Sequence, residues 1–174
     1  MRASMEKRKF IRKVCLLGDG GVGKTSLIRR YVYDVFSDQY IVSFGTKVTK
    51  KVVRVGDVDL SLMLWDILGQ KGESSLHSAY YKGANAALLV CDLGRESSVR
   101  DLIEWRDDFL KSAPGAGIVP IANKADLAEQ VSKAVLDQTA AELGAPFILT
   151  SAKNGHGVED AFLALSKIVM GASS

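Results

Sequence analysis

Two hydrophobic periods take turns along this chain. Phe10 to Leu17 is a mainly apolar run and predicts a strand. Leu27, Ile28, Tyr31, Val32 and Val35 then recur at helical spacing. Lys47 to Val55 is rich in β-branched residues, and Gly56-Asp57 reads as a turn. Beyond it Val58, Leu60, Leu62 and Leu64 alternate with Asp59, Ser61, Met63 and Trp65, which predicts a hairpin. Ala86 to Cys91 is apolar throughout, as a strand covered on both faces requires. Val99, Leu102, Ile103, Phe109 and Leu110 form a helical stripe with Ser97 or Ser98 as the expected cap. Ile118 to Ala122 and Pro146 to Leu149 read as strands. Val158, Ala161, Phe162, Leu165, Ile168 and Val169 form a final amphipathic helix. The pattern predicts an α/β domain with a six-stranded, mostly parallel sheet, one antiparallel edge strand and helices on both faces. Pro120 falls inside an interior strand, so a bulge or a shifted edge is expected there.

Composition narrows the class. With 174 residues, 47% hydrophobic and 25% charged, the chain is one ordinary globular domain. A disordered tail, a collagen-like fibre and a disulfide scaffold are excluded. Cys15 and Cys91 both lie in predicted core strands, which suits a reducing compartment. No run reaches the length of a membrane span, and the N-terminus has no secretory h-region. The expected location is the cytoplasm, with any membrane association made through partners. The net charge of +3 is unevenly spread: residues 1–13 carry +5, and the rest carries −2. A basic stretch can draw nucleic acid or anionic lipid. No aromatic residues interleave these charges, so a solvated terminus without a nucleic-acid partner is the reading favoured.

Ligands of such sheets sit at the carboxyl ends of the strands, and the polar, glycine-rich clusters fall there. Gly18-Asp19-Gly20-Gly21-Val22-Gly23-Lys24-Thr25 fits G-x-x-x-x-G-K-[ST] between a strand and a helix, the signature of a P-loop NTPase. Its glycines let successive N–H groups form an anion nest, and the following helix adds its dipole. Lys24 supplies a charge for the β- and γ-phosphates, and the Thr25 hydroxyl suits Mg²⁺. Asp66 ends a predicted strand, where a carboxylate can hold Mg²⁺ through water. Gly69 and Gln70 follow: a glycine amide can reach a terminal phosphate, and a glutamine can orient water. In Asn123-Lys124-Ala125-Asp126, the Asp126 carboxylate can accept from the N1–H and N2–H₂ edge of guanine. Adenine would leave it unpaired. The Lys124 stem can cover one face of the base. Thr150-Ser151-Ala152-Lys153 offers backbone N–H groups to the guanine O6.

From Phe10 to Val169 the chain resembles the Ras-superfamily small GTPases, most closely the Rab branch. The resemblance rests on GDGGVGKT (18–25), WDILGQ (65–70), YYKGANAALLVCD (80–92), NKAD (123–126) and TSAK (150–153). It implies a GTP/GDP switch with slow hydrolysis and two segments that read the γ-phosphate, about 36–47 and 66–80. Protein regulators and effectors would meet these segments. The implied domain spans 10–170, after a basic, flexible leader (1–9) and before a tail (171–174). The implied nucleotide-binding residues are Asp19, Gly20, Gly21, Val22, Gly23, Lys24, Thr25, Ser26, Phe36, Tyr40, Ser43, Gly69, Asn123, Lys124, Asp126, Ser151, Ala152 and Lys153. Thr25, Ser43 and Asp66 would serve Mg²⁺, and Gln70, Lys24 and Gly69 would carry catalysis. Phe36 would pack on guanine, or else serve as a core aromatic at a helix end.

The departures from the family pattern matter as well. Ser43 stands where the family has a threonine that senses Mg²⁺ and the γ-phosphate. Thr46 is a rival for that role, disfavoured by the Tyr40 and Gly45 spacings. Serine lacks the β-branch that limits χ1, so the ordered GTP state should be less populated. Leu68 replaces an alanine beside Gly69, and Lys71-Gly72-Glu73 replaces an acidic–basic–aromatic run. The hydrophobic triad read by eukaryotic Rab partners therefore looks incomplete. No cysteine lies near the C-terminus to carry a prenyl anchor. His77 and His156 lack metal-ligand spacing and read as structural or surface residues, and Trp105 reads as partly core.

The expected activity is slow GTP hydrolysis, on the order of 10⁻⁴ to 10⁻² per second, because no residue is evident as an internal arginine finger. A second reading is a module that holds GTP or GDP with little hydrolysis, motivated by Ser43, Leu68 and Lys71. A P-loop kinase would need an acceptor-binding lid, and no insertion of that size is present.

Overall fold

A computed structural model describes residues 6–36, 46–67 and 74–171. Six strands form one sheet: β1 (Arg8–Leu17), β2 (Lys47–Val55), β3 (Val58–Asp66), β4 (Ala86–Asp92), β5 (Gly117–Asn123) and β6 (Ile148–Leu149). Their order is β2-β3-β1-β4-β5-β6. Among the described residues only the β2–β3 pair is antiparallel, turned at Gly56, whose φ of 62° suits a residue without Cβ. The expected architecture is therefore present. Around the sheet stand α1 (Lys24–Tyr33), α2 (Ser74–Tyr81), α3 (Glu96–Arg100), α4 (Leu102–Ser112), α5 (Lys133–Leu143) and α6 (Val158–Val169).

Alternation along the strands divides the core into two layers. Val14, Leu16, Leu60, Leu62, Leu64, Leu88 and Val90 face α1 and α6, where Tyr31 stacks on Phe162 at 3.8 Å. Cys15, Leu17, Ala87, Leu89 and Cys91 face the opposite way, toward Tyr81, Leu102, Trp105 and Phe109. Both cysteines are free and buried, as expected. Burial on both faces is why the middle strands read as unbroken apolar runs. The edge strand β2 pairs on one side only, and turns Val48, Lys50, Val52 and Arg54 outward.

Several elements differ from the sequence reading. β1 begins at Arg8, where it pairs with Val58, two residues before Phe10. α1 ends at Tyr33 because Asp34 adopts a left-handed φ of 54° and donates its N–H to Arg29 and Arg30 carbonyls. Val35 therefore leaves the helical face and is exposed. Neither Ser97 nor Ser98 caps the stripe. Both lie inside α3, and the buried Ser98 hydroxyl instead accepts from the Asp92 N–H at 2.9 Å. Asp101 separates α3 from α4, so the stripe spans two helices. β6 is reduced to Ile148 and Leu149. Helices α2 and α5 have no counterpart in the sequence reading. The Ser132 side chain caps α5, accepting from Val135 N–H, and Gly144 ends it at φ 74°.

Pro120 makes no bulge: β4 and β5 pair in unbroken register from Ala86↔Gly117 to Asp92↔Asn123. Thr150 N–H donates to the Ala122 carbonyl, so Ala122 turns its polar groups toward β6. Pro120, two residues earlier, turns its nitrogen the same way. β6 starts only opposite Ile121, so no ladder donor is lost.

Candidate functional site

The carboxyl ends of β1, β3, β4, β5 and β6 converge on the loop between β1 and α1. Gly18 leaves β1 at φ 145°, where a Cβ would lie 2.1 Å from the Val90 carbonyl oxygen. Gly23 has φ 104°, and a Cβ there would meet the Asn123 amide nitrogen at 2.3 Å. Glycine is thus demanded at both ends of the loop, by close approach and by backbone angle. Gly23 also opens α1, accepting from Leu27 N–H at 2.9 Å.

Lys24 is buried and curls over this loop, its Nζ donating to Gly18 O at 2.7 Å and Asp19 O at 3.0 Å. Burial lowers its pKa to about 8, opposed by Asp66 and Asp19 and assisted by Arg95. Beside it, the Thr25 hydroxyl donates to Asp66 Oδ2, bringing together two hard oxygen donors of the kind that suit Mg²⁺. Asp19 accepts from the Trp105 indole N–H at 2.9 Å. Trp105 is more buried than expected and has this specific polar partner. Arg95, at the junction of β4 and α3, donates from Nη2 to Gly20 O at 2.7 Å.

Asn123 joins this loop to the opposite half of the site. Its Nδ2 donates to Val22 O at 3.0 Å, and its Oδ1 accepts from Thr150 Oγ1 at 2.9 Å and Ala152 N at 3.4 Å. Lys124 adopts a left-handed φ of 66° and crosses to the loop. Its Nζ lies 2.8 Å from Gly21 O and 2.9 Å from Asp92 Oδ2. The Asp126 carboxylate is exposed and accepts from Ser151 Oγ at 2.8 Å. Arg30 ties α1 to the last loop, donating to Ala152 O at 2.8 Å and Lys153 O at 2.6 Å. Gly157 closes that loop at φ 70°, where a Cβ would lie 2.0 Å from Leu149 O.

The structure therefore brings residues 18–26, Asp66, 123–126 and 151–153 to one end of the sheet. Phe36 is half-buried and packs against the α1–α6 layer of the core. Tyr40, Ser43, Gly69 and Gln70 lie outside the described residues, as do Leu68 and Lys71. Among the described residues, no three His, Cys, Asp or Glu side chains form a metal cluster. His77 is buried against Tyr81 and Trp105, consistent with its structural reading. No helix among the described residues is long and apolar enough to cross a membrane. Sequence reasoning did not find Arg30 or Arg95. Neither belongs to a motif, and each acts on a loop remote in the chain.

The model of the Ras family matches residues 13–171. The chain is 41% identical over 167 residues to the Ypt/Rab-type GTPase YPT7 of Saccharomyces cerevisiae, covering 90% of this chain and 80% of that protein. It is 36% identical over 174 residues to the Ras-related protein RABG3a of Arabidopsis thaliana, covering 94% and 84%. The Ras-related protein Rab7 of Glycine max is likewise 36% identical, with the same coverage.

Proposed function

This chain belongs to the Ras family as a Rab-like GTPase, and from that premise we propose how its residues work the switch. It binds GTP and GDP and hydrolyses GTP. A module that holds nucleotide without hydrolysing it is not favoured, since the relatives include a protein named as a GTPase. In our reading, the amides of Asp19 through Ser26 and the Lys24 ammonium hold the phosphates. Asp126 accepts from the guanine edge, the Lys124 stem covers the base, and Ser151, Ala152 and Lys153 line it. Phe36 and Tyr40 flank the nucleotide. Asn123 spaces the two loops.

Thr25, Ser43 and Asp66 would hold Mg²⁺, which neutralises charge between the β- and γ-phosphates when bound. Gln70 orients the attacking water, and the Gly69 amide meets the γ-phosphate. The water oxygen bonds to γ-phosphorus as the bond to the β-phosphate oxygen breaks. No covalent enzyme intermediate forms. Regulators and effectors meet the two segments at about 36–47 and 66–80; at the ends of the second, Trp65 just before it and Tyr80 lie with ring centroids 6.2 Å apart. Membrane association, where it occurs, comes through such partners.

The observation that carries this reading is Asn123, whose one carboxamide reaches both the phosphate loop and the 150–152 loop. Competition binding tests it. The wild-type protein should prefer GTP over ATP by more than about 100-fold, and Asp126→Ala should abolish that preference. Equal wild-type affinities would overturn the base-selection role. A Gln70→Leu variant that hydrolyses at the wild-type rate would remove the water-orienting role.

A further inference from the structure

Arg95 belongs to none of the motifs above, yet it is held in place from both sides. Its N–H donates to Asp92 O at 2.9 Å. Its carbonyl accepts from Ser98 Oγ at 2.7 Å and Ser98 N at 3.1 Å. This fixed backbone aims the side chain at the phosphate loop, where Nη2 reaches Gly20 O. The acids nearest in the chain are engaged elsewhere: Asp92 with Lys124 at 2.9 Å and Glu96 with Arg100 at 2.7 Å. Among the described residues, no carboxylate forms an ion pair with Arg95. Lys24 Nζ and Arg95 Nη2 thus donate to carbonyls of the same loop. A multiply charged anion held in that loop would meet both cations.

We propose that Arg95 is an arginine supplied in cis to the terminal phosphoryl group of GTP, braced on Gly20 O and contacting the γ-phosphate oxygens with its remaining donors. A guanidinium has five N–H donors in a rigid fork, and one of them is used on Gly20. During transfer, charge spreads over the equatorial oxygens of the phosphoryl group, and a fixed cation there stabilises it. Arg95 neither gains nor loses a proton. Water forms the new P–O bond, the bond to the β-phosphate breaks, and the water's proton leaves with the released phosphate. The proposal rests on the phosphate-loop reading, and departs from the expectation that no internal arginine serves the site.

The test uses the full chain loaded with nucleotide and no partner protein. Single-turnover hydrolysis is measured alongside affinities for a non-hydrolysable GTP analogue and for GDP. Arg95→Ala should slow hydrolysis by about 10- to 100-fold, the range separating GTPases with and without a cis arginine. It should also lower the preference for the GTP analogue over GDP several-fold. Arg95→Gln keeps a donor for Gly20 O without the charge, so it should behave like Arg95→Ala. If Arg95→Gln instead matches the wild type in both measurements, Arg95 is only a loop brace and the proposal is overturned. Equal losses of affinity for both nucleotides with unchanged hydrolysis would overturn it as well. Failure of the phosphate-loop reading shows separately, as a Lys24→Ala variant that loses no nucleotide affinity.

Discussion

Asn123 is almost fully buried, and its carboxamide uses both ends. Removing it leaves the Val22 carbonyl and the Thr150 hydroxyl without their side-chain partner. Asn123→Ala is expected to cost about 1–3 kcal/mol in urea unfolding, with nucleotide affinity falling more than tenfold. An unchanged unfolding midpoint would show that the two loops hold their places without it. The side chains of Asn123, Lys124 and Asp126 were legible because each sits in a short motif whose chemistry needs that residue type. Arg95, Trp105 and Arg30 were not, because their loop partners lie 75, 86 and 122 residues away. Composition and periodicity do not encode such pairings. Trp105 shows the limit well: its place beside an apolar stripe gave the burial, and nothing local gave the indole's acceptor.

Elements with strong periodicity were found from the sequence, and the ends of several were not. α6 spans the residues its stripe implied, and β3 alternates as its pattern did. α1 stopped early because Asp34 turned left-handed, a choice that a run of apolar residues cannot announce. α5 was missed for a different reason. It buries only Thr139 and Leu143, too narrow a face for a clear period. The step from β6 to α6 turns on Gly157, which has positive φ and abuts the Leu149 carbonyl. Gly157→Ala should destabilise the fold by at least about 1–3 kcal/mol from backbone strain, with further loss from the clash. Urea titration of the two proteins measures it. A variant as stable as the wild type would mean that the loop can open without disturbing β6.

Across the whole molecule, the mostly parallel sheet with one antiparallel edge followed from α/β alternation and the one hairpin, the order of its strands did not, and the place of the site followed from where strands end. What alternation left unstated was how the two core layers differ in chemistry. One holds Cys15 and Cys91, whose thiols burial pushes up to about 12 from an ordinary 9. The other holds Tyr31, raised by burial and by Glu159 to about 12 from 10. Below pH 9 these groups are neutral whether the chain is folded or not, so they do not change stability. Between about pH 9 and 12 the unfolded chain releases thiol and phenol protons that the folded one retains, which lowers stability, while Lys24, lowered to about 8, acts the opposite way between pH 8 and 10.5. Both thiols should resist a thiol reagent at pH 8 until the chain unfolds. Ready labelling of the folded chain would contradict the assignment. The outer margin of the sheet carries a consequence of another kind. Among the described residues, β2 is paired along one side only of its nine residues, and such an edge is a template on which a second molecule could add a strand. Lys47, Lys50 and Arg54 are exposed along it. Two copies approaching margin to margin would therefore meet charge against like charge, which disfavours polymerisation through the sheet.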